Sequence, residues 1–196
     1  MVYTSSMLIE RYKDFADPYD KIRRECDNGN LIKVIRGLYE DDRSVPPYRL
    51  ASYIYGPSYI SFDYIMSSRG LIPERAVNIT SATFRKNKSR KYVTPFGTYI
   101  YHDVPGNVFR ECVEYHSEEN YVYMTASLEK ALCDKLYTVR QVNNMSELEQ
   151  LIIDDLRIDL PSLYDLDLNE IFRIAPLYRR KNLKLLCRFL GGKQII

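Results

Sequence analysis

An α+β fold is predicted: a short N-terminal helix–helix–hairpin unit, then a larger mixed domain with an antiparallel sheet flanked by helices. Three observations carry this. Apart from the β-branched stretch 31–39, helical patterns run up to about residue 70, the spacing of apolar residues changes to two from Val77, and helical spacing returns after Ser127. Capping and turn residues punctuate the chain where each period changes. Apolar residues make up 45% of 196, with only 8 Gly and 9 Pro, enough to bury a core and too little bias for a collagen-like or disordered chain.

The elements follow in order. Residues 4–14 read as a helix with Leu8, Ile9 and Tyr12 on one side. Asp17-Pro18 supplies an N-cap and a proline at the first helical position. The helix over 19–27 then carries Tyr19, Ile22 and Cys26 on its apolar face, with Lys21, Arg23, Arg24 and Glu25 off it. Asn28-Gly29-Asn30 ends it, and residues 31–39, β-branched and interrupted by Gly37, read as a hairpin. The likeliest boundary lies within 41–47, giving units 1–44 and 45–196. Residues 45–55 read as a helix opened by Pro46 and Pro47, and Ser58 as the cap of a helix reaching Gly70. Residues 76–84, 91–94, 98–104 and 121–124 read as strands, with Pro95-Phe96-Gly97 as a hairpin turn. Residues 127–139 read as a helix with Leu128, Leu132, Leu136 and Val139 on one face and Glu129, Lys130 and Asp134 on another. Ser146 and Glu149 match a capping box. Residues 162–190 look helical with a break near Pro176.

The net charge of +2 hides an uneven distribution. Residues 71–95 hold six basic side chains and one acid, Glu74; Arg85, Lys86 and Lys88 belong to this run. Residues 141–172 hold eight acids and one Arg, and residues 173–196 seven basic residues and no acid. Such asymmetry suits a polyanion or an acidic protein partner, or else solvated loops and faces. Arg180, Lys184 and Arg188 form one stripe of the last helix, opposite Leu183, Leu186, Phe189 and Leu190. The 18 Tyr against no Trp suit half-buried positions with a ring inside and a hydroxyl outside.

The familiar enzyme signatures for phosphate loops, dinucleotide folds, zinc proteases and nucleophile elbows are missing from the sequence. Gly191-Gly-Lys193 has no strand before it. His102 and His116 are isolated; Cys112 and His116 supply at most half of a zinc set, so no metal and no cofactor are expected. No apolar run is long enough to cross a membrane. The opening residues lack a signal-peptide pattern, so the expected compartment is the cytoplasm, with Cys26, Cys112, Cys133 and Cys187 as reduced, mostly buried thiols. The helix over 18–28 followed by the hairpin has the order of a recognition helix and a basic wing, with Lys21, Arg23 and Arg24 on the helix and Lys33 and Arg36 on the wing. A generic helix–hairpin with a solvated basic rim reads equally well.

Six stretches in order carry a resemblance. They are Leu31-Ile-Lys-Val-Ile-Arg-Gly-Leu-Tyr39, Tyr48-Arg-Leu-Ala-Ser52, Gly56-Pro-Ser-Tyr-Ile-Ser61, Met66-Ser-Ser-Arg-Gly-Leu-Ile72, Thr94-Pro-Phe-Gly-Thr98 and Ser127-Leu-Glu-Lys-Ala-Leu-Cys-Asp134. Over about residues 15–140 the chain resembles the AbiEi family, antitoxins of abortive-infection AbiE toxin–antitoxin systems (type IV), also described as transcriptional regulators. The resemblance implies a winged helix–turn–helix unit over 1–44 that binds operator DNA of its own operon, shortened here because only two helices precede the wing. It implies an antitoxin domain over 45–196 that opposes a nucleotidyltransferase-like toxin, without catalysis and without needing a stable complex. Carried onto this chain, the antitoxin motif residues are Ser58, Tyr59, Ser61, Glu129, Lys130 and Asp134. The DNA contacts are Lys21, Arg23, Arg24, Lys33 and Arg36, with Arg85, Lys86, Lys88, Arg180, Lys184 and Arg188 as further phosphate contacts.

Overall fold

The computed structural model of the chain describes residues 1–192; Lys193, one of the seven basic residues of the C-terminal stretch, lies outside them. The architecture is α+β, with a three-stranded and a six-stranded sheet. The smaller sheet joins β1 (Val2–Thr4), β2 (Ile32–Ile35) and β3 (Leu38–Glu40) in the order β1-β3-β2, antiparallel throughout. The first helix, α1 (Ser5–Arg11), begins at the Thr4 cap, which accepts from the Met7 amide, and is shorter than predicted because residues 12–14 form a turn beyond the Tyr12 cap. Helix α2 (Pro18–Asp27) starts as predicted: Asp17 accepts from the amides of Tyr19 at 2.9 Å and Asp20 at 3.1 Å. Gly37, at φ +84°, makes the β2–β3 hairpin turn that a side chain would strain.

This unit has a core of its own, Leu8, Ile22 and Leu31, too small to hold alone. Ile32, Val34 and Leu38 instead belong to the large core that runs on to Leu190, so the hairpin ties the N-terminal helices to the rest.

The chain then forms a 3-10 turn (Pro47–Leu50) and α3 (Ala51–Ile54). The larger sheet contains β4 (Tyr59–Ile60), β5 (Ile79–Thr83), β6 (Arg90–Thr94), β7 (Gly97–Asp103), β8 (Val113–Glu118) and β9 (Tyr121–Ala126). Its order is β6-β7-β5-β4-β9-β8. The predicted antiparallel sheet is corrected to a mixed one, since β5 pairs with β7 and β4 with β9 in parallel. The physical reason is burial. Every residue of β5 is buried, both faces being covered, which is the environment parallel pairs require. Local turn residues fix only the hairpins, such as β6–β7 across Thr94 and Gly97, whose φ is +124°.

Ser58 is not the helix cap that the sequence suggested. It precedes β4, and the helix, α4 (Phe62–Ser68), begins only after Ser61. Phe62 makes this sharp exit at φ +57°, held by full burial and an edge contact with the His102 ring at 5.2 Å.

Alternate residues of β7 cover the two faces. The Tyr99 and Tyr101 hydroxyls donate to the carbonyls of Pro47 at 2.8 Å and Ala51 at 2.7 Å. On the other face lie α4 and the helix α5 (Leu128–Thr138), capped by Ser127, which accepts from the Lys130 amide. Next come α6 (Met145–Gln150), a π-helical turn (Leu151–Asp155), α7 (Leu160–Tyr164), α8 (Leu168–Ile174), a 3-10 turn (Ala175–Tyr178) and α9 (Lys181–Gly192). The cap of α6 is Asn144 rather than Ser146: its side-chain oxygen accepts from the Glu147 amide, and the Glu147 carboxylate accepts from the Asn144 side chain and the Asn143 amide. In α9 Leu183, Leu186, Phe189 and Leu190 are buried as predicted, each contributing about 1.5–3 kcal/mol.

Candidate functional site

The motif residues of two distant stretches meet on one carboxylate. Strand β4 and its exit place Tyr59 and Ser61, while α5 places Lys130 and Asp134 one turn apart. Asp134 Oδ1 accepts from Lys130 Nζ at 2.9 Å and from the Tyr178 hydroxyl at 2.5 Å. Its Oδ2 accepts from the Ser61 hydroxyl at 2.7 Å and the Tyr59 hydroxyl at 2.9 Å. Lys130 Nζ also donates to Tyr178 at 2.5 Å and lies 4.7 Å from the Tyr178 ring centroid and 5.5 Å from that of Tyr59.

Lys130 and Asp134 are 0% exposed. Burial, reinforced by the Asp134 charge, holds both phenols well above the ordinary tyrosine range. A carboxylate with four donors and an ammonium roofed by two rings are charges kept in place by complete pairing. The geometry gives a clamp joining β4, α5 and the 3-10 turn that precedes α9; both oxygens of Asp134 are taken by these four donors.

Lys130 and Asp134, read from the sequence as lying on a face of α5 apart from its leucines, are buried along with Leu132 and Leu136. Packing surrounds the middle of that helix, burying residues 130–134 together. Glu129 does not pair with Lys130; it accepts from the Asp167 amide at 2.9 Å and holds the start of α8. Ser58 is buried beside the network with its hydroxyl unpartnered. Tyr178, the member that sequence reasoning missed, sits two residues past Pro176, where only a helix break was legible.

The basic candidates separate by partner. On α2, Lys21 pairs with Glu25 at 2.6 Å, and Arg23 and Arg24 share Asp20, the latter at 2.7 Å. Tyr19, assigned to the apolar face by its spacing, is 67% exposed, because of that face Ile22 and Cys26 reach the small core and Tyr19 does not. Lys33 and Arg36 of the β2–β3 hairpin are exposed. The loop before β6 carries Arg85, Lys86 and Lys88; the Asp103 carboxylate fixes it by accepting from the amides of Lys86 at 3.1 Å and Asn87 at 2.9 Å. The Lys86 ammonium lies 5.2 Å from the Tyr55 ring centroid. Arg180 is half-buried over the Tyr137 ring, while Lys184 and Arg188 point outward from α9.

Among the described residues no three His, Cys, Asp or Glu side chains gather as a metal set. Cys112 Sγ accepts from Arg173 at 2.7 Å, and His116 Nε2 pairs with Thr125 at 2.8 Å. Burial pushes the Cys112 thiol up to about 11. Of the four thiols only Cys133 is fully buried; the other three are half-buried, and all are unbridged. No helix among these residues is long and apolar enough to cross a membrane. Comparison of the chain with known protein families and with curated proteins finds no match.

Proposed function

We propose that the chain is the antitoxin of an AbiE-like, type IV toxin–antitoxin pair. In this reading it opposes a nucleotidyltransferase-like toxin through residues 45–196 and represses its own operon by binding promoter DNA through residues 1–44, in the cytoplasm and without catalysis. One observation carries the reading. The two most telling motif stretches, around Tyr59-Ile-Ser61 and Lys130–Asp134, are some seventy residues apart in sequence, yet they bond directly in the fold. Short matches arising by accident have no reason to meet. The DNA-binding half is supported by the order β1-β3-β2 with α2 leading into the hairpin, the arrangement of a helix followed by its wing.

Growth of a host expressing the adjacent reading frame, with and without this chain, tests the antitoxin half. Arrest relieved by the full chain is the expected result. Arrest that persists would remove the toxin partner and leave a DNA-binding regulator, the second reading, which the unpaired wing cations Lys33 and Arg36 favour.

On α2, Tyr19 and Arg23 stand four residues apart on the exposed face, at the end of a recognition helix that touches base edges. Tyr19→Ala is expected to weaken binding to the chain's own promoter by roughly 10- to 100-fold. Binding to an unrelated duplex stays the same. Equal loss on both duplexes, read by fluorescence anisotropy, would contradict a base-reading role.

A further inference from the structure

We infer that the phosphate-gripping surface of this chain is the seam where the edges of its two sheets meet, and that it fits the backbone of a nucleic-acid duplex. The inference rests on the DNA-binding half of the reading above but moves the electrostatic contacts away from α2. The order of the small sheet leaves β2 outermost, and that of the large sheet leaves β6 outermost. These two edges lie against each other. On or beside these edges are Lys33 of β2 and Arg36 of the turn after it, Arg85 and Lys88 of the loop before β6, and Arg90 and Lys91 of β6 itself, all six exposed.

What distinguishes these cations is the absence of acids. Residues 28–39 and 75–102 contain no Asp or Glu. The first carboxylate met, Asp103, spends its oxygens on the backbone amides of the 85–88 loop and on the Thr83 hydroxyl. Among the described residues none of the six makes an ion pair, whereas every cation of α2 does. A guanidinium already bonded to Asp20 must break that pair to reach a phosphate, while an unpaired one only sheds water and counterions. Six like charges along two adjoining edges also repel one another, a cost that a polyanion removes.

The aromatic rings point to a duplex rather than a single strand. Stacking platforms for bases need exposed aromatic faces. The rings nearest the seam, Tyr55, Tyr92 and Tyr101, pack on one another with centroids 5.3–5.9 Å apart and are buried or half-buried. The loop is also pre-shaped, with Arg85 at φ +57° and Asn87 at φ +53° under the Asp103 carboxylate, so little ordering is needed on contact.

The test compares three full-length proteins: the unaltered chain, Lys88→Gln/Arg90→Gln/Lys91→Gln, and Arg23→Gln/Arg24→Gln. Each is titrated with a duplex from its own upstream region and with an unrelated duplex, over roughly 0.05–0.2 M salt. The unaltered chain binds both, more weakly as salt rises. The seam variant is expected to lose roughly 100-fold or more in affinity on both duplexes at about 0.1 M salt, and its log–log salt slope to flatten by about 3. The α2 variant keeps most of the slope. Exposed side chains account for every change, so circular dichroism and melting stay as they were; Arg36→Gln, on the other sheet, checks the seam independently and flattens the slope by about 1. A seam variant that aggregates or not but binds duplex with the original slope overturns the inference, the lysines then serving only to guard an open sheet edge, and leaves the DNA-binding reading standing. An unaltered chain that binds neither duplex, or binds single strands alone, overturns both.

Discussion

Asp134→Ala is expected to destabilise the chain by about 3–5 kcal/mol, a large share of the 5–15 kcal/mol that holds a typical domain folded. The cost does not come from a lost attraction alone. Removing the carboxylate strands the Lys130 ammonium at 0% exposure and takes the acceptor from the hydroxyls of Tyr59, Ser61 and Tyr178 at one stroke. Each orphaned polar group then bears its desolvation penalty with nothing in return. Lys130→Met/Asp134→Leu is expected to recover part of the loss, since it removes the stranded ammonium while the three hydroxyls stay without their acceptor. Urea midpoints for the two variants decide the matter. A double variant no more stable than Asp134→Ala would mean that the site is held by shape and not by charge pairing.

Asn182→Leu is expected to cost about 3 kcal/mol, although the branched heavy-atom skeleton is the same. Asn182 is buried near the start of α9, and its carboxamide is fully used. Its oxygen accepts from the Val142 amide at 2.9 Å, and its nitrogen donates to the carbonyls of Leu136 at 3.0 Å and Arg140 at 2.9 Å. It satisfies the end of α5 and the chain that leaves it, a task otherwise left to capping residues or water. Leucine leaves three backbone groups unpaired in one place. Amide exchange adds a local readout: Val142 should lose protection ahead of the core of α5. If its exchange is unaltered in the variant, another group satisfies that amide.

Much of the fold was legible where local chemistry decides it. Asp17-Pro18, Gly37 and the apolar stripe of α9 each mean one thing in most contexts, and the structure places all three as their chemistry demands. Errors fall where a distant partner decides. Ser58 looks like a cap because Ser often is one, but two residues of strand between parallel and antiparallel neighbours outweigh that preference. Strand β8 was missed because its exposed edge carries Glu114, Tyr115 and Glu118 with little apolar alternation. Tyr19 has core spacing, yet its helix faces only a three-residue core. The site shows the same division. A Lys and an Asp four residues apart usually mark a solvated helix face, and only the packing of α4, α8 and α9 around α5 turns that pair inward. Tyr178 carries no local mark at all, its role existing only once the chain has returned to α5.

That return has a bearing on how the protein is made. Lys130 and Asp134 leave the ribosome together, but the hydroxyl that completes their pairing lies 44 residues further on. A nascent chain that has α5 but not Tyr178 would have to bury a lysine ammonium with its bonding incomplete, so the larger sheet gains its full stability only after the turn at residues 175–178 has emerged. Messages truncated before that codon would yield chains that hold their shape poorly and fall to proteases.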